Sequence, residues 1–157
     1  MQGATGYFVE FAGTAIVNLS MEERMTITNM SIEMGARGGL MGVDSTTIDY
    51  LSKRVQLDAL ILKEWVELKS DETAIFDKVI VLDAHDIKPM VTVGTSPDSA
   101  ISLDKRIGDS LYITPQSLEY TKFKKTDFIT DLAIDYVFIG SCTNGRIEDL
   151  RKAAKIA

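Results

Sequence analysis

The lone cysteine, Cys142, and the pair Asn29 and Glu33 are the residues of this chain whose types and spacing could carry chemistry. Cys142 lies where an apolar run, Ile134 to Ile139, gives way at Gly140-Ser-Cys-Thr-Asn-Gly145 to a polar segment. A small-residue turn at the carboxyl end of a strand leaves room for a ligand, and a helix beginning there aims unpaired N–H groups and its positive end at that space. A thiolate is favoured in such a field. A free cysteine also packs well as a small core hydrophobe, but the flanking glycines and the Ser-Cys-Thr-Asn run make this turn too polar for that role. Asn29 and Glu33 stand four apart, so on a helix both project from one face about a turn apart. An amide beside a carboxylate could hold a metal-bound water. By spacing alone, a solvated helical face is the plainer reading, because most glutamates are surface charges.

Other candidates carry less. His85, the only imidazole, sits in Asp83-Ala-His-Asp86 with no nucleophile motif around it, and reads as a loop histidine. Arg37 beside Gly38-Gly39 could suggest an anion loop, but the segment lacks a P-loop Lys-Ser/Thr and the strand-glycine-helix order of a dinucleotide fingerprint. Neither ATP nor NAD is expected. Arg146 could face an anion or lie in solvent, and its sequence context assigns it neither role.

Composition bounds the rest. A chain of 157 residues, 45% of them hydrophobic, can bury one ordinary core. A net charge of -6 and a pI near 4.8, with no Lys/Arg run longer than a pair, argue against nucleic acid as a partner. Neither a secretory leader nor an apolar stretch near the ~20 residues needed to span a bilayer is present, so the chain reads as soluble, cytoplasmic and without a membrane partner. One cysteine cannot form an internal disulfide, which agrees with a reducing compartment. It also cannot complete a metal or cluster site, which needs three or four ligands. The chain opens inside a running strand and ends in helix without a glycine cap, so it reads as the middle of a longer subunit.

The elements that must position these residues follow from pattern and caps. A strand is expected over 7–12, then a short helical stretch to Leu19. Ser20 with Glu23 makes a capping box for a helix through Met25 and Ile32 that the β-branched run Thr26-Ile27-Thr28 could break, and Gly35 to Gly39 ends a second helical segment from Asn29 to Ala36. Asp44 caps a helix over 45–53, and Leu57, Leu60, Ile61, Trp65 and Leu68 recur at helical spacing over 58–70. Buried strands are expected over 76–82 and 134–139, and a helix over 147–156. Alternation of strands and helices indicates an α/β fold. The expected organisation is an α/β lobe over 1–98, a polar connecting segment over 99–131, and a strand-turn-helix over 132–157.

These residues also carry a resemblance. Val137 to Arg151, reading Val-Phe-Ile-Gly-Ser-Cys-Thr-Asn-Gly-Arg-Ile-Glu-Asp-Leu-Arg, resembles the first cluster-cysteine motif of the aconitase superfamily, in the form used by its large-subunit dehydratases. Thr26 to Arg37 resembles the family's Asn-x-x-x-Glu active-site segment, and Asp44-Ser-Thr-Thr-x-x-Tyr-Leu51 and Val91-Thr-Val-Gly-Thr-Ser-Pro97 fall in the family's order. Together they cover nearly the whole chain.

The resemblance implies an aconitase-like layered α/β/α fold with a mixed or parallel sheet, of which this chain is an incomplete part. It makes Cys142 the first of three cysteine ligands of a [4Fe-4S] cluster, whose other two, a Cys-x-x-Cys pair, are absent here. It lays Asn29 against the cluster and Glu33 near the open iron and its water, and has Ser141, Thr143 and Asn144 orient the turn and hydrogen-bond cluster sulfides or a substrate carboxylate. Those three could equally cap the helix. Thr28 stands where many members carry a cysteine that is not a ligand. The family's upstream Asp-His and Asp-Ser-His segments are missing. The implied activity is a hydro-lyase isomerisation of a small hydroxy acid by dehydration and rehydration, with the open iron as Lewis acid and a separate small subunit supplying a serine base. Alone, a chain with one thiolate is expected to be metal-free and inactive. A family member acting on another hydroxy acid, or a metal-free scaffold, are the competing readings.

Overall fold

The computed structural model describes residues 3–94, 96–140 and 143–157. Along them run β1 (Phe8–Glu10), α1 (Thr14–Val17), α2 (Met21–Ser31), β2 (Gly38–Leu40), α3 (Ser45–Ser52), α4 (Ala59–Trp65), β3 (Met90–Thr92), β4 (Ala100–Ser102), α5 (Pro115–Thr121) and α6 (Ile147–Ala153). The fold is mixed α/β with small sheets. It divides into two units, one of Gln2–Val79 with Phe138–Ala157 and the other of Ile80–Val137.

The first unit is built on a parallel pair. β1 and β2 register Phe8 with Gly38, Val9 with Gly39 and Glu10 with Leu40. Parallel neighbours need a crossover, and α1 and α2 supply it. α2 crosses close to the pair because Gly39 has no side chain: a Cβ there would stand 2.6 Å from Ser31 Oγ. Ser31 is buried and turns its hydroxyl inward, donating to Thr28 O at 2.6 Å.

The buried charge of this unit is Arg24, on the inner side of α2 and 4% exposed. Its guanidinium forks onto Asp44, with Nη1 to Oδ1 and Nη2 to Oδ2 both at 2.7 Å, and Nη2 also donates to Val17 O at 2.9 Å. Asp44 is the N-cap of α3 and accepts from Thr47 N at 3.2 Å. One carboxylate thus starts α3 and neutralises α2. The Arg24 guanidinium beside it, first among the causes, holds the Asp44 carboxyl below the usual carboxylate range.

The second unit folds around an antiparallel pair, with Val91 of β3 opposite Ile101 of β4. Val93, Ile101 and Ile107 are buried, and Ile113, Leu118, Phe123 and Ile129 close over them. The polar stretch 99–131, expected as a connection, therefore supplies most of this unit's core. Its loops are pinned through the backbone, by Ile107 N to Asp127 O at 3.0 Å and Gly108 N to Lys125 O at 2.9 Å. Thr114 caps α5 by accepting from Ser117 N at 3.1 Å, with Pro115 at the first helical position. Ile107 is 0% exposed, so trimming it to Val removes one fully packed methyl. Ile107→Val is expected to lower stability by about 1 kcal/mol, measured as a shift of the chemical-denaturation midpoint at unchanged slope.

Two expected strands do not form. Residues 76–82 and 134–139 make no strand, and Val81 (88% exposed), Tyr136 (95%) and Phe138 (89%) lie open rather than buried. An apolar run acquires strand structure only from a neighbour that pairs with it, and neither run has one among the described residues. Among those residues, no helix is long and apolar enough to cross a membrane.

Candidate functional site

Asn29 lies on α2 and Glu33 in the turn that closes it, and both ends of that helix are fixed by sequence. At its start Ser20 and Glu23 form the expected capping box, Glu23 N donating to Ser20 Oγ at 3.3 Å and Ser20 N to Glu23 Oε2 at 2.9 Å. These bonds, the Ser20 backbone first and then Lys152, draw the Glu23 carboxyl below its ordinary value. At the other end Gly35 adopts φ 88°, a left-handed conformation that favours glycine. Ala36 N then reaches Ser31 O at 3.1 Å and Gly35 N reaches Ile32 O at 2.9 Å, the paired bonds of a Schellman stop. Glu33 therefore sits in the helix's closing turn, just past Ser31, with its backbone N–H on Met30 O at 3.0 Å. Asn29 and Glu33 are both exposed.

Those two residues extend a longer stripe. Glu22, Thr26 and Asn29 recur at steps of four and three, which keeps them on one face of α2, and Glu33 follows four residues later in the closing turn. The amino-terminal half of that stripe is where α6 docks. Arg146, immediately before α6, donates from Nη1 to Thr26 Oγ1 at 3.2 Å and to Glu22 O at 3.4 Å. The same nitrogen donates back to Thr143 O at 2.7 Å. Asp149 steadies Arg146 by accepting from its backbone N–H at 3.1 Å. Lys152 adds an ion pair to Glu23 at 3.2 Å, which is solvent-exposed on both sides and contributes little. Ser141 and Cys142 lie outside the described residues. Thr143 is half-buried and Asn144 exposed at the start of the segment that Arg146 holds.

Arg146, for which sequence offered an anion or solvent, is thus bound to the protein itself. Its contacts lie 120 and 124 residues away, and no local pattern announces them. The Arg24–Asp44 fork was equally silent in sequence. His85 conforms to the loop reading: it is 96% exposed, and its backbone N–H, first among the causes, draws the Asp83 carboxyl down. The cleft of about 330 Å³ in this unit involves Glu10, Arg24, Asp44 and Lys69, and neither Asn29 nor Glu33 lines it.

The donor set decides how far a cluster fits. Among the described residues no group of three or more His, Cys, Asp or Glu could hold a metal ion, and the whole chain contains one cysteine. These residues supply at most one thiolate and do not fit a complete cubane cluster by themselves.

The sequence model of the aconitase family (aconitate hydratase) matches residues 1–157. The 3-isopropylmalate dehydratase large subunit of Phocaeicola vulgatus is 47% identical over 95% of this chain and 34% of its own length. Proteins of the same name from Flavobacterium johnsoniae and Bacteroides thetaiotaomicron are 45% and 43% identical, each over 98% of this chain and 36% of their own length. The chain spans about a third of the length of these curated relatives.

Proposed function

From its membership of the aconitase family, shown over its whole length, we propose that this chain is part of the large subunit of a cytoplasmic hydro-lyase that interconverts 2-isopropylmalate and 3-isopropylmalate in leucine biosynthesis. The observation that supports this reading is the joint occurrence of Asn29, Glu33 and Cys142 in the family's order, with the segment that follows Cys142 held by Arg146 against the helix that carries Asn29.

In the whole subunit a [4Fe-4S] cluster would supply Lewis-acid activation of the departing hydroxyl. This chain's share is narrower. Cys142 contributes one of three thiolate ligands, the other two coming from a Cys-x-x-Cys pair outside this chain. Glu33, at a carboxylate oxygen, holds or passes the proton of the water released and re-added, and Asn29 orients the hydroxyl through its amide. Ser141, Thr143 and Asn144 set the turn and offer hydroxyl and amide groups to a substrate carboxylate. The base that takes the carbon-bound proton belongs to a separate small subunit. A two-carboxylate hydroxy acid is the fitting substrate, and a homocitrate-type acid is the competitor within the family.

The test is reconstitution. A large subunit containing this chain, loaded with iron and sulfide and mixed with its small subunit, is expected to dehydrate 2-isopropylmalate and to prefer it to homocitrate-type acids. A cluster-loaded pair that converts neither would overturn the reading. Iron analysis of this chain alone is expected to find no cluster.

A further inference from the structure

We infer that Arg146 is a positioning residue that sets the register between the segment beginning at Thr143 and the face of α2 that carries Asn29. The consequence for catalysis rests on the function proposed above; the mechanical claim does not. A single nitrogen, Nη1, reaches Thr143 O at 2.7 Å on one side and Thr26 Oγ1 and Glu22 O at 3.2 and 3.4 Å on the other. One group therefore ties the residue directly after Cys142 to the first two positions of the stripe that leads to Asn29. The tie is not a loose surface contact. Arg146 is 23% exposed and Asp149 18%, and Asp149 Oδ2 stands 3.8 Å from the same Nη1, so the cation is neutralised in place. Thr26 is fixed in turn, since its hydroxyl donates to Glu22 O at 3.0 Å.

The geometry makes the register discrete. Thr26 and Asn29 are three residues apart on a rigid helix, and Thr143 and Arg146 are three apart across one turn. Fixing Arg146 on Thr26 therefore fixes where Thr143 stands along the stripe. The Lys152–Glu23 pair that also links α6 to α2 is solvent-exposed on both sides, and such a pair holds register weakly. Reacting groups displaced by about 1 Å can lose up to ~100-fold in rate, so a register error here appears in turnover before it appears in binding.

Cys142 is the only thiol, which allows the claim to be read directly. With that thiol removed by Cys142→Ser and a nitroxide attached instead at Asn144→Cys, inside the held segment, the spectrum is expected to be motionally restricted, and to become freely mobile when Arg146→Met or Thr26→Val is added. Unchanged Trp65 fluorescence and far-ultraviolet circular dichroism would show the unit still folded. Arg146→Lys should restore most of the restriction, because every contact above is made by one nitrogen and an ammonium carries three donors. In the assembled enzyme, Arg146→Met is expected to lower kcat roughly 10–100-fold with KM within about twofold, and Arg146→Lys to recover much of it. A label equally restricted in Arg146→Met would overturn the clamp. A mobile label with kcat unaltered would confine the clamp to packing and overturn its positioning role. If the wild-type pair never converts isopropylmalate, the functional reading fails while the spectrum still judges the clamp.

Discussion

Asp44→Asn is expected to destabilise the unit that contains it by about 3 kcal/mol, a large share of the roughly 5–15 kcal/mol that holds a typical domain together. The substitution keeps the N-cap of α3, since asparagine caps as well as aspartate, and removes only the charge. What it leaves behind is Arg24, 4% exposed, without its counter-charge and with one arm of its fork facing an amide NH2 instead of an acceptor. Arg24→Met should cost less, because Asp44 is 30% exposed and can turn to water. The double variant should cost less than the sum of the two, which a double-mutant cycle measures. Trp65, the only tryptophan, lies in the same unit and reports its unfolding by fluorescence. Equal costs for the two single variants, or strict additivity, would show the fork to be energetically idle.

The same fork predicts an acid limit. The folded Asp44 carboxyl titrates below the ordinary aspartate value of 3.8, so its contribution is complete above about pH 4 and disappears as pH falls through the lower folded value. Wild-type stability is expected to drop across that window. In Asp44→Asn this part of the slope should vanish.

Glu33→Gln is expected to reduce kcat of the assembled enzyme by about 10²–10⁴-fold, the usual loss when a positioned acid-base group is removed. Glutamine preserves shape and leaves the Schellman stop intact, because that stop is made by the backbone of Ser31, Ile32, Gly35 and Ala36. Iron content and the visible spectrum should not change, and KM should move little. A variant retaining more than about a tenth of the wild-type kcat would remove Glu33 from proton handling.

Local chemistry explains which features could be read from the chain. The Ser20–Glu23 box, the Asp44 cap and the Gly35 stop each depend on residues within a few positions, and all three occur where pattern places them. The helix expected over 58–70 does form, as α4, but is shorter because Val66 to Ser70 leaves it in turns. What could not be read is what distance decides. Arg24 and Asp44 are 20 residues apart, Arg146 and Thr26 are 120, and nothing about an arginine in isolation tells which carboxylate or hydroxyl it will meet. The runs 76–82 and 134–139 stay out of any sheet for a related reason: composition records their appetite for a sheet and not whether a sheet edge is at hand. For the site, spacing placed Asn29 and Glu33 on one face, while their proposed roles came from resemblance alone.

Those two open runs have a practical consequence for handling this chain. Ile134 to Ile139 is a six-residue window with four aliphatic or aromatic residues besides Tyr136, a single charge at Asp135, and neither proline nor glycine. Such a window, solvent-facing, is a template on which identical copies stack into cross-β ribbons. Val79 to Leu82 adds a shorter, uncharged exposed run. Concentrating the chain by itself therefore favours fibrous precipitate, with Asp135 as the only gatekeeper in the first window, and a lysine introduced at Val137 should delay its onset.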